Sequence, residues 1–492
     1  MYLTEVMMNS FYTIPIHYFI GILIGIILFM LIIIRPNKGN EYGSAKWGDK
    51  STVKKLKLNG KNGIVLGLYK GQKLILDEPL SVLVLAPPGT GKTSAIAIPT
   101  ALSSKHSLVI HDPKGEQYEI TAKVRKKFSN IIYFNPTDKE SDTFNVFDKK
   151  LLPADKLDWQ GYVTNISHIL IKEDKNGKNY FTKAARNAFS FFALWLLWKH
   201  GETSIPEVRD QLLISEDIAD TIENMLSNLN EGNPSNDDEN LMINGLIKDA
   251  KATLVPAESD DQWNGVMGTL TDALQVFSDP RIAKATTGKS NIDANQLKKE
   301  ITTIYLVVPD KDKDRISPIM AMLFETVATQ LISEPPFKNQ IPITFIMDEF
   351  IRLGYMKIIK DLPAISRSYK LNTIFIAQSY NQIAEIYGRD SIGTFNSNCA
   401  YKVIFQQNDP ETAESIAKTI GTHTRDRKSH NASSKTIIQT QTSESTSKEA
   451  RHLLTAQGIL NINSDECIIL GQGQLMHPIK AKCAFWFCKI KT

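Results

Sequence analysis

The stretch that decides the fold runs Ser81-Val82-Leu83-Val84-Leu85-Ala86-Pro87-Pro88-Gly89-Thr90-Gly91-Lys92-Thr93. Its first five residues form a short, mostly apolar run with two β-branched valines, which predicts a buried strand. A Gly-rich turn follows, and Thr93 to Leu102 has the pattern of a helix. A strand, a Gly-x-Gly-Lys-Thr loop and a helix in this order predict a phosphate-binding P-loop.

Each residue type of this loop suits a phosphate ligand. Glycines allow backbone N–H groups to turn toward phosphate oxygens, while Lys92 brings an ammonium group to the β and γ phosphates. Thr93 offers a hydroxyl group to Mg²⁺. Ala86 stands where the strict pattern has glycine, a position that accommodates a methyl group. The predicted nucleotide-binding residues are Pro88, Gly89, Thr90, Gly91, Lys92, Thr93 and Ser94.

A second strand supplies the carboxylates that hydrolysis requires. Ile343 to Met347 is an apolar run that ends at Asp348 and Glu349. We predict that Asp348 holds Mg²⁺ together with Thr93 and that Glu349 polarises the attacking water. The alternative interpretation is a pair of acidic residues that faces solvent at the end of a strand.

Polar residues also follow other predicted strands. Gln378, after Thr373 to Ala377, is predicted to sense the γ phosphate. Asp112 to Glu116 follows Ser107 to His111 at the edge where α/β sheets place ligands, although an ordinary turn fits the same spacing. Three arginines are candidates for an arginine finger, with a surface salt bridge as the alternative role. They are Arg352, Arg389 and the preferred candidate, Arg367.

The strand and helix pattern predicts an α/β fold with one long interruption. Amphipathic stretches fill residues 152–276, which predicts an inserted all-α domain. The nucleotide-binding domain is therefore expected in two parts, residues 81–151 and 277–492, after a basic linker and domain start at 36–80. Within the second part, the Ser- and Thr-rich segment Thr422 to Lys448 is predicted to be a mobile loop.

Residues 1–35 are predicted to contain an N-terminal tail and a transmembrane helix. From Ile14 to Ile34 every residue is apolar or small except Pro15 and His17. A helix of this length extends about 31 Å and would span a bilayer core. Lys and Arg are concentrated after this run, so we expect a single-pass protein of the cytoplasmic membrane with its N-terminus outside and its ATPase domain in the cytoplasm.

Composition excludes several classes of protein. Of the 492 residues, 42% are hydrophobic and 22% are charged, which argues against a disordered chain or a many-pass transporter. The net charge of +4 is too small to indicate nucleic-acid binding over the whole surface, so any basic surface is local. The four cysteines lack the paired spacing of a zinc or redox site and are interpreted as reduced, buried packing residues.

Ordered motifs over nearly the whole chain resemble the type IV coupling proteins, the TraG/TraD-like DNA-transfer ATPases of conjugation and type IV secretion. The matching segments are Tyr42 to Trp47, Asp112 to Glu116, Tyr133 to Pro136, Phe144 to Phe147, Asp348 to Phe350 with Leu353-Gly354, and Ala377 to Ser379. The resemblance implies a RecA-like P-loop NTPase domain with the inserted all-α domain, ATP and Mg²⁺ as cofactors, and a hexameric homo-oligomer. Family members usually have two membrane helices, whereas this sequence predicts one.

The resemblance implies delivery of single-stranded DNA with its relaxase, or of protein effectors, to a secretion channel. Expected partners are the channel ATPases and inner-membrane components. Two basic clusters are candidates for contact with DNA in a pore, or else for solvated surfaces. They are Lys123, Arg125, Lys126 and Lys127, and Arg425, Arg427 and Lys428.

A receptor that recruits proteins and uses ATP as an assembly switch, without translocating DNA, is the alternative function. Asp210 to Ile247 contains nine acidic residues and neither Lys nor Arg. Such a segment repels phosphate and is consistent with a solvated face or with a docking surface for basic proteins.

Overall fold

The computed structural model describes residues 41–172, 180–214, 217–232, 234, 236–434, 440–472 and 477–488, together with Gly21, Leu23 and Gly25. Apart from those three positions, the predicted transmembrane helix lies outside the described residues. Among the helices that are described, none combines the length and the apolar character needed to cross a membrane. For residues 428–446 the description covers the backbone of the strands alone.

Two β-sheets are present in the described part of the chain. The strands in chain order are β1 Ile64–Tyr69, β2 Gln72–Leu76, β3 Val82–Leu85, β4 Ser107–Asp112, β5 Asn130–Phe134, β6 Thr302–Val307, β7 Ile343–Met347, β8 Leu371–Ala377, β9 Tyr401–Ile404, β10 Thr422–Ser434, β11 Thr440–His452, β12 Glu466–Gly471 and β13 Ile479–Lys482. Over these residues, an 11-stranded sheet has the order β2-β1-β13-β12-β9-β3-β8-β7-β4-β6-β5, and β10 pairs with β11.

The parallel part of the large sheet positions the site. The strands from β9 to β5 in the spatial order run parallel, with β3 between β9 and β8 and with β7 between β8 and β4. Every residue of β3, β4, β7 and β8 is buried, which explains their continuous apolar sequences. Since parallel strands end at one edge, the segments after Leu85, Asp112, Met347 and Ala377 emerge side by side.

An antiparallel extension, β12, β13, β1 and β2, continues the sheet beyond β9. We did not predict β1, β2 or β13 from the sequence. The available signal was the apolar run at Ile64–Tyr69 followed by the two-residue turn Lys70-Gly71. Both turn residues have positive φ, 50° and 82°, as a tight hairpin between twisted strands requires.

Helices connect the strands of the sheet. The helices in chain order are α1 Lys50–Lys55, α2 Ile98–Ser103, α3 Glu116–Arg125, α4 Trp159–Leu170, α5 Tyr180–His200, α6 Ile205–Ile214, α7 Ile218–Glu231, α8 Asp237–Ala257, α9 Asp260–Leu274, α10 Pro280–Ala285, α11 Ala294–Lys299, α12 Lys313–Ile332, α13 Lys357–Ile365, α14 Tyr380–Tyr387, α15 Arg389–Asn398, α16 Pro410–Ile420 and α17 Ala456–Leu460. Between β5 and β6 the described residues form helices and no strand, as expected of an all-α insertion. The domain boundaries stay a prediction.

The described residues divide into two compact units. One comprises those of Trp47–Ile416 and Thr455–Thr492, and the other those of Met1–Lys46 and Ala417–Leu454. In the second unit, β10 and β11 form an antiparallel ribbon, so the predicted loop is wrong there. The segment lacks Gly and Pro and is rich in β-branched Thr, which favours strands even without an apolar core.

Candidate functional site

The P-loop connects β3 to a helix whose first turn, Thr93–Ala97, is π-helical and continues into α2. Gly89 and Gly91 have φ of +79° and +76°, a conformation that favours glycine. Within the loop, Thr90 Oγ1 donates a hydrogen bond to the Pro87 carbonyl at 2.8 Å. The first N–H groups of the helix therefore lie at the loop, where they can bind an anion.

The two carboxylates after β7 lie against the P-loop. Thr93 Oγ1 donates to Asp348 Oδ2 at 2.5 Å. Lys92 Nζ lies 3.1 Å from Glu349 Oε1 and 3.9 Å from Asp348 Oδ1. The structure thus brings the adjacent residues Lys92 and Thr93 into contact with a second adjacent pair that lies more than 250 positions later in the chain. The sequence predicts these four residues to form one site.

Burial raises the pKa of Asp348 above its ordinary value, and Lys92 and the Thr93 hydroxyl partly oppose this shift. The main chain of Asp348 has a partner as well, since His111 Nδ1 lies 2.6 Å from its carbonyl oxygen. Because a carbonyl oxygen accepts only, Nδ1 carries the proton and donates. Burial also lowers the pKa of His111 to about 4, so the ring is neutral near pH 7. We did not predict His111 as a site residue; its place directly before Asp112 was the signal.

Glu349 is held in an uncommon backbone conformation, with φ 51° and ψ 46°. Arg352 Nε lies 2.5 Å from Glu349 Oε2, and Arg352 NH1 donates to Asp310 Oδ1 at 2.9 Å. The left-handed conformation costs about 1–2 kcal/mol in a residue other than glycine. Lys92 contacts one oxygen of the Glu349 carboxylate and Arg352 contacts the other, so these two cations hold the side chain in place.

Asp112 is a further buried carboxylate near Asp348. Its Oδ2 accepts a hydrogen bond from Tyr118 N at 2.8 Å, at the start of α3. Burial raises the pKa of Asp112 from 3.8 to about 6, and the nearby charge of Asp348 adds to the shift. The structure therefore places Asp112 beside the carboxylates of the site, which an ordinary surface turn would not do.

This pKa predicts a pH dependence of stability. Between about pH 4 and pH 6 the folded chain holds the Asp112 proton more tightly than the unfolded chain, so stability should fall as pH rises through this window. In Asp112→Asn this part of the slope should disappear, with a gain over wild type of at most about 3 kcal/mol above pH 6. Urea denaturation with chelator from pH 4 to pH 7 measures it, and identical slopes would contradict the assignment.

Of the other predicted site residues, Gln378 lies at the same edge of the sheet as the P-loop and Arg367 does not. Gln378 follows β8 and is half-buried next to the P-loop strand, since Leu85 pairs with Ala377. Arg367 is exposed in the turn Ser366–Tyr369 before β8, at the opposite edge of the sheet. It therefore does not reach the site of its own chain, and its role as a finger toward another subunit stays a prediction.

The first basic cluster is divided by the fold. Lys123, Lys126 and Lys127 are exposed, whereas Arg125 is fully buried. The Arg125 guanidinium donates to four oxygens, and the expectation that it lines a pore is wrong. Its acceptors are Thr303 Oγ1 at 2.5 Å and the main-chain oxygens of Ala101 at 2.8 Å, Ser104 at 3.0 Å and His106 at 2.8 Å.

Known proteins are similar to this chain in sequence or in fold. A protein VirD4 of Rhizobium rhizogenes is 26% identical over 413 residues, which cover 81% of this chain and 59% of that protein. A conjugal transfer protein TraG of Escherichia coli is 25% identical and covers 82% of this chain and 68% of its own length. This chain thus spans less than two thirds of the VirD4 relative.

Among solved structures, the bacterial conjugative coupling protein TrwBdeltaN70 has a TM-score of 0.64 at 18% identity, covering 92% of this chain and 96% of that one. VirB4 of Thermoanaerobacter pseudethanolicus has a TM-score of 0.53 at 14% identity, over 87% and 97% of the two chains. These neighbours confirm the mixed α/β fold with its large parallel sheet. Residues 37–491 match a family profile, and this chain belongs to the family described as type IV secretory system conjugative DNA transfer.

Proposed function

We propose that this chain is a membrane-anchored ATPase that acts as a coupling protein of type IV secretion or conjugation. It recruits single-stranded DNA with its relaxase, or protein effectors, and powers their transfer to the channel. One observation carries the proposal: Lys92 and Thr93 of the P-loop contact Glu349 and Asp348 directly. The family match over residues 37–491 supports the DNA-transfer setting, and the names of the TraG relative and the TrwB neighbour support conjugation.

The residues present fit Mg²⁺ and the phosphates of ATP. The Thr93 hydroxyl and the Asp348 carboxylate adjoin, and both are the hard oxygen ligands that Mg²⁺ prefers. Asp348 Oδ1 is buried and accepts no hydrogen bond from the residues that the structure describes. When bound, Mg²⁺ neutralises charge on the β and γ phosphates. Solved TrwB complexes contain ADP with Mg²⁺ and an ATP analogue.

Hydrolysis by these side chains requires an exchange of partners. Lys92 leaves the carboxylates for the β and γ phosphates of ATP, which together carry more negative charge than one carboxylate. The freed Oε1 of Glu349 then accepts the proton of the attacking water. Arg352 keeps the carboxylate in place through Oε2 during this exchange.

We propose that copies of the chain assemble into a hexameric ring at the cytoplasmic membrane. The proposed further partners are the channel ATPases and the inner-membrane components. A receptor that uses ATP as an assembly switch is the second candidate. The observation that favours it is the exposure of acidic side chains on α7, on its N-cap residue and on α8. Those of Asp217, Asp220, Glu223, Asp237 and Asp238 are all exposed.

ATP hydrolysis by the full chain in detergent, with and without single-stranded DNA, tests the proposal. We expect hydrolysis that DNA stimulates and that Lys92→Ala abolishes, because the ammonium group binds the transferred phosphate. Hydrolysis that is indifferent to DNA would favour the receptor instead. Hydrolysis that persists in Lys92→Ala would contradict the proposed site.

The second basic cluster provides a prediction about DNA. Arg425 and Arg427 are exposed on β10, and replacing both together with Lys428 by glutamine should flatten the DNA stimulation of hydrolysis. The salt dependence of DNA binding should also become shallower by up to about two units, since each phosphate contact contributes about 0.7 for single strands. Exposed lysines of the helical insertion, replaced as a set, are the matched control. They are Lys183, Lys248 and Lys251. Unchanged stimulation in the cluster variant would remove the cluster from the DNA path.

A further inference from the structure

An aromatic segment near the C-terminus, Phe485-Trp486-Phe487, lies against the P-loop. The Phe485 ring packs on Gly91, where an added Cβ would come within 2.6 Å of ring atom Cε1. The main-chain N–H of Trp486 donates to the Ser94 oxygen at 3.1 Å. The segment is therefore attached to both ends of the Gly91 to Ser94 turn.

The three aromatic rings of this segment pack against one another, yet two of them are exposed to solvent. Phe485 and Phe487 are stacked, with 5.3 Å between ring centroids and 13° between planes. Trp486 stands edge-on to Phe487 at 5.9 Å. Trp486 is nevertheless 40% exposed and Phe487 is 63% exposed. Two large aromatic side chains thus remain open to solvent beside a polar loop, at a cost in hydrophobic free energy.

The position of the segment indicates what covers these rings. Phosphates bound by the N–H groups of Gly89 to Thr93 leave the ribose and base to extend from the same loop. Ser94 directly follows the phosphate-binding residues, and Trp486 is bonded to it. A flat purine ring is a partner that stacks well on exposed aromatic faces.

We propose that the Phe485–Phe487 segment holds the purine base of the bound nucleotide, with the Trp486 ring as its stacking surface. This inference rests on the proposed function, since it assigns the base-binding part of the same site. Phe485 keeps the segment on the loop through Gly91, and Trp486 and Phe487 contact the base. Stacking tolerates any base, so both ATP and GTP should gain affinity from these rings.

The test compares a ligand with a base and one without it on the full chain. Titration calorimetry measures Mg·ADP and Mg·pyrophosphate binding to wild type, Trp486→Ala and Trp486→Phe. We expect Trp486→Ala to weaken ADP binding by about tenfold or more and to leave pyrophosphate binding unchanged. Trp486→Phe should recover most of the ADP affinity. Phe337→Ala, which truncates another exposed aromatic side chain before β7, is the matched control.

The other outcomes overturn the assignment. Equal ADP affinity in wild type and Trp486→Ala would show that the ring does not touch the base, and tighter ADP binding would show that it blocks the base. Equal weakening of ADP and pyrophosphate, with an unchanged melting temperature, would show that Trp486 supports the loop instead. Wild-type protein that binds neither ligand would contradict the proposed function itself, a result distinct from all of these.

Discussion

Replacing Glu349 by glutamine is expected to lower the rate of ATP hydrolysis by about 100- to 10,000-fold, the usual contribution of a general base. An amide oxygen can still accept a hydrogen bond from Lys92, which lies 3.1 Å from Oε1, but it cannot take a proton from water. Binding of Mg·ATP should therefore persist. Single-turnover hydrolysis and equilibrium nucleotide binding, measured on the same preparation, separate the two effects.

Two further variants serve as controls for this result. Lys92→Ala should lose nucleotide binding together with hydrolysis, because the ammonium group binds phosphate in both states. Glu334→Gln removes an exposed carboxylate just after α12 and should leave the rate unchanged. A Glu349→Gln protein that hydrolyses ATP at the wild-type rate would show that another group activates the water.

The same variant separates the two candidate functions. A receptor that uses nucleotide binding as a switch should still capture its substrates when Glu349→Gln holds ATP without turnover. A motor should lose transfer in the same state, because movement requires repeated hydrolysis. Substrate capture and transfer, assayed side by side in cells that carry the variant, distinguish these outcomes.

Replacing Arg125 by alanine is expected to destabilise the chain by about 3–5 kcal/mol. The guanidinium donates to three main-chain oxygens between Ala101 and His106 and to the Thr303 hydroxyl of β6. Its removal leaves these buried acceptors without donors and opens a cavity in the sheet and helix layer. Urea denaturation followed by circular dichroism measures the loss.

Two variants serve as controls for Arg125→Ala: one removes another cation of the same helix, and the other keeps the positive charge at position 125. Lys123→Ala removes an exposed cation of α3 and should change stability by less than about 0.5 kcal/mol. Arg125→Lys should recover only part of the loss, because one ammonium group cannot reach acceptors on several sides. A fully stable Arg125→Ala protein would show that water satisfies these oxygens.

Much of the fold could be predicted because the parallel strands are locally encoded. The predicted strand Ile343 to Met347 has the observed bounds, since a buried parallel strand is a continuous apolar run between polar turns. The predicted bounds of Asn130 to Phe134 are also observed, although this strand lies at the edge of the sheet and is only partly buried. The antiparallel strands β2 and β13 are not predicted because their partly exposed sequences carry weaker patterns. The strand β1 carries an apolar signal, and four of its six residues are buried. The sequence of the ribbon β10–β11 has no apolar alternation and therefore predicts a loop.

The sequence by itself determined the P-loop, the carboxylate pair after β7 and the family of this chain. These features are contiguous motifs whose residue types follow from their chemistry. Only the tertiary structure decided which distant residues meet. It buried Arg125, paired Arg352 with the glutamate of its own chain, and laid Phe485–Phe487 on Gly91 and Ser94. Contacts of this kind depend on strand order and helix packing, which no local sequence pattern records.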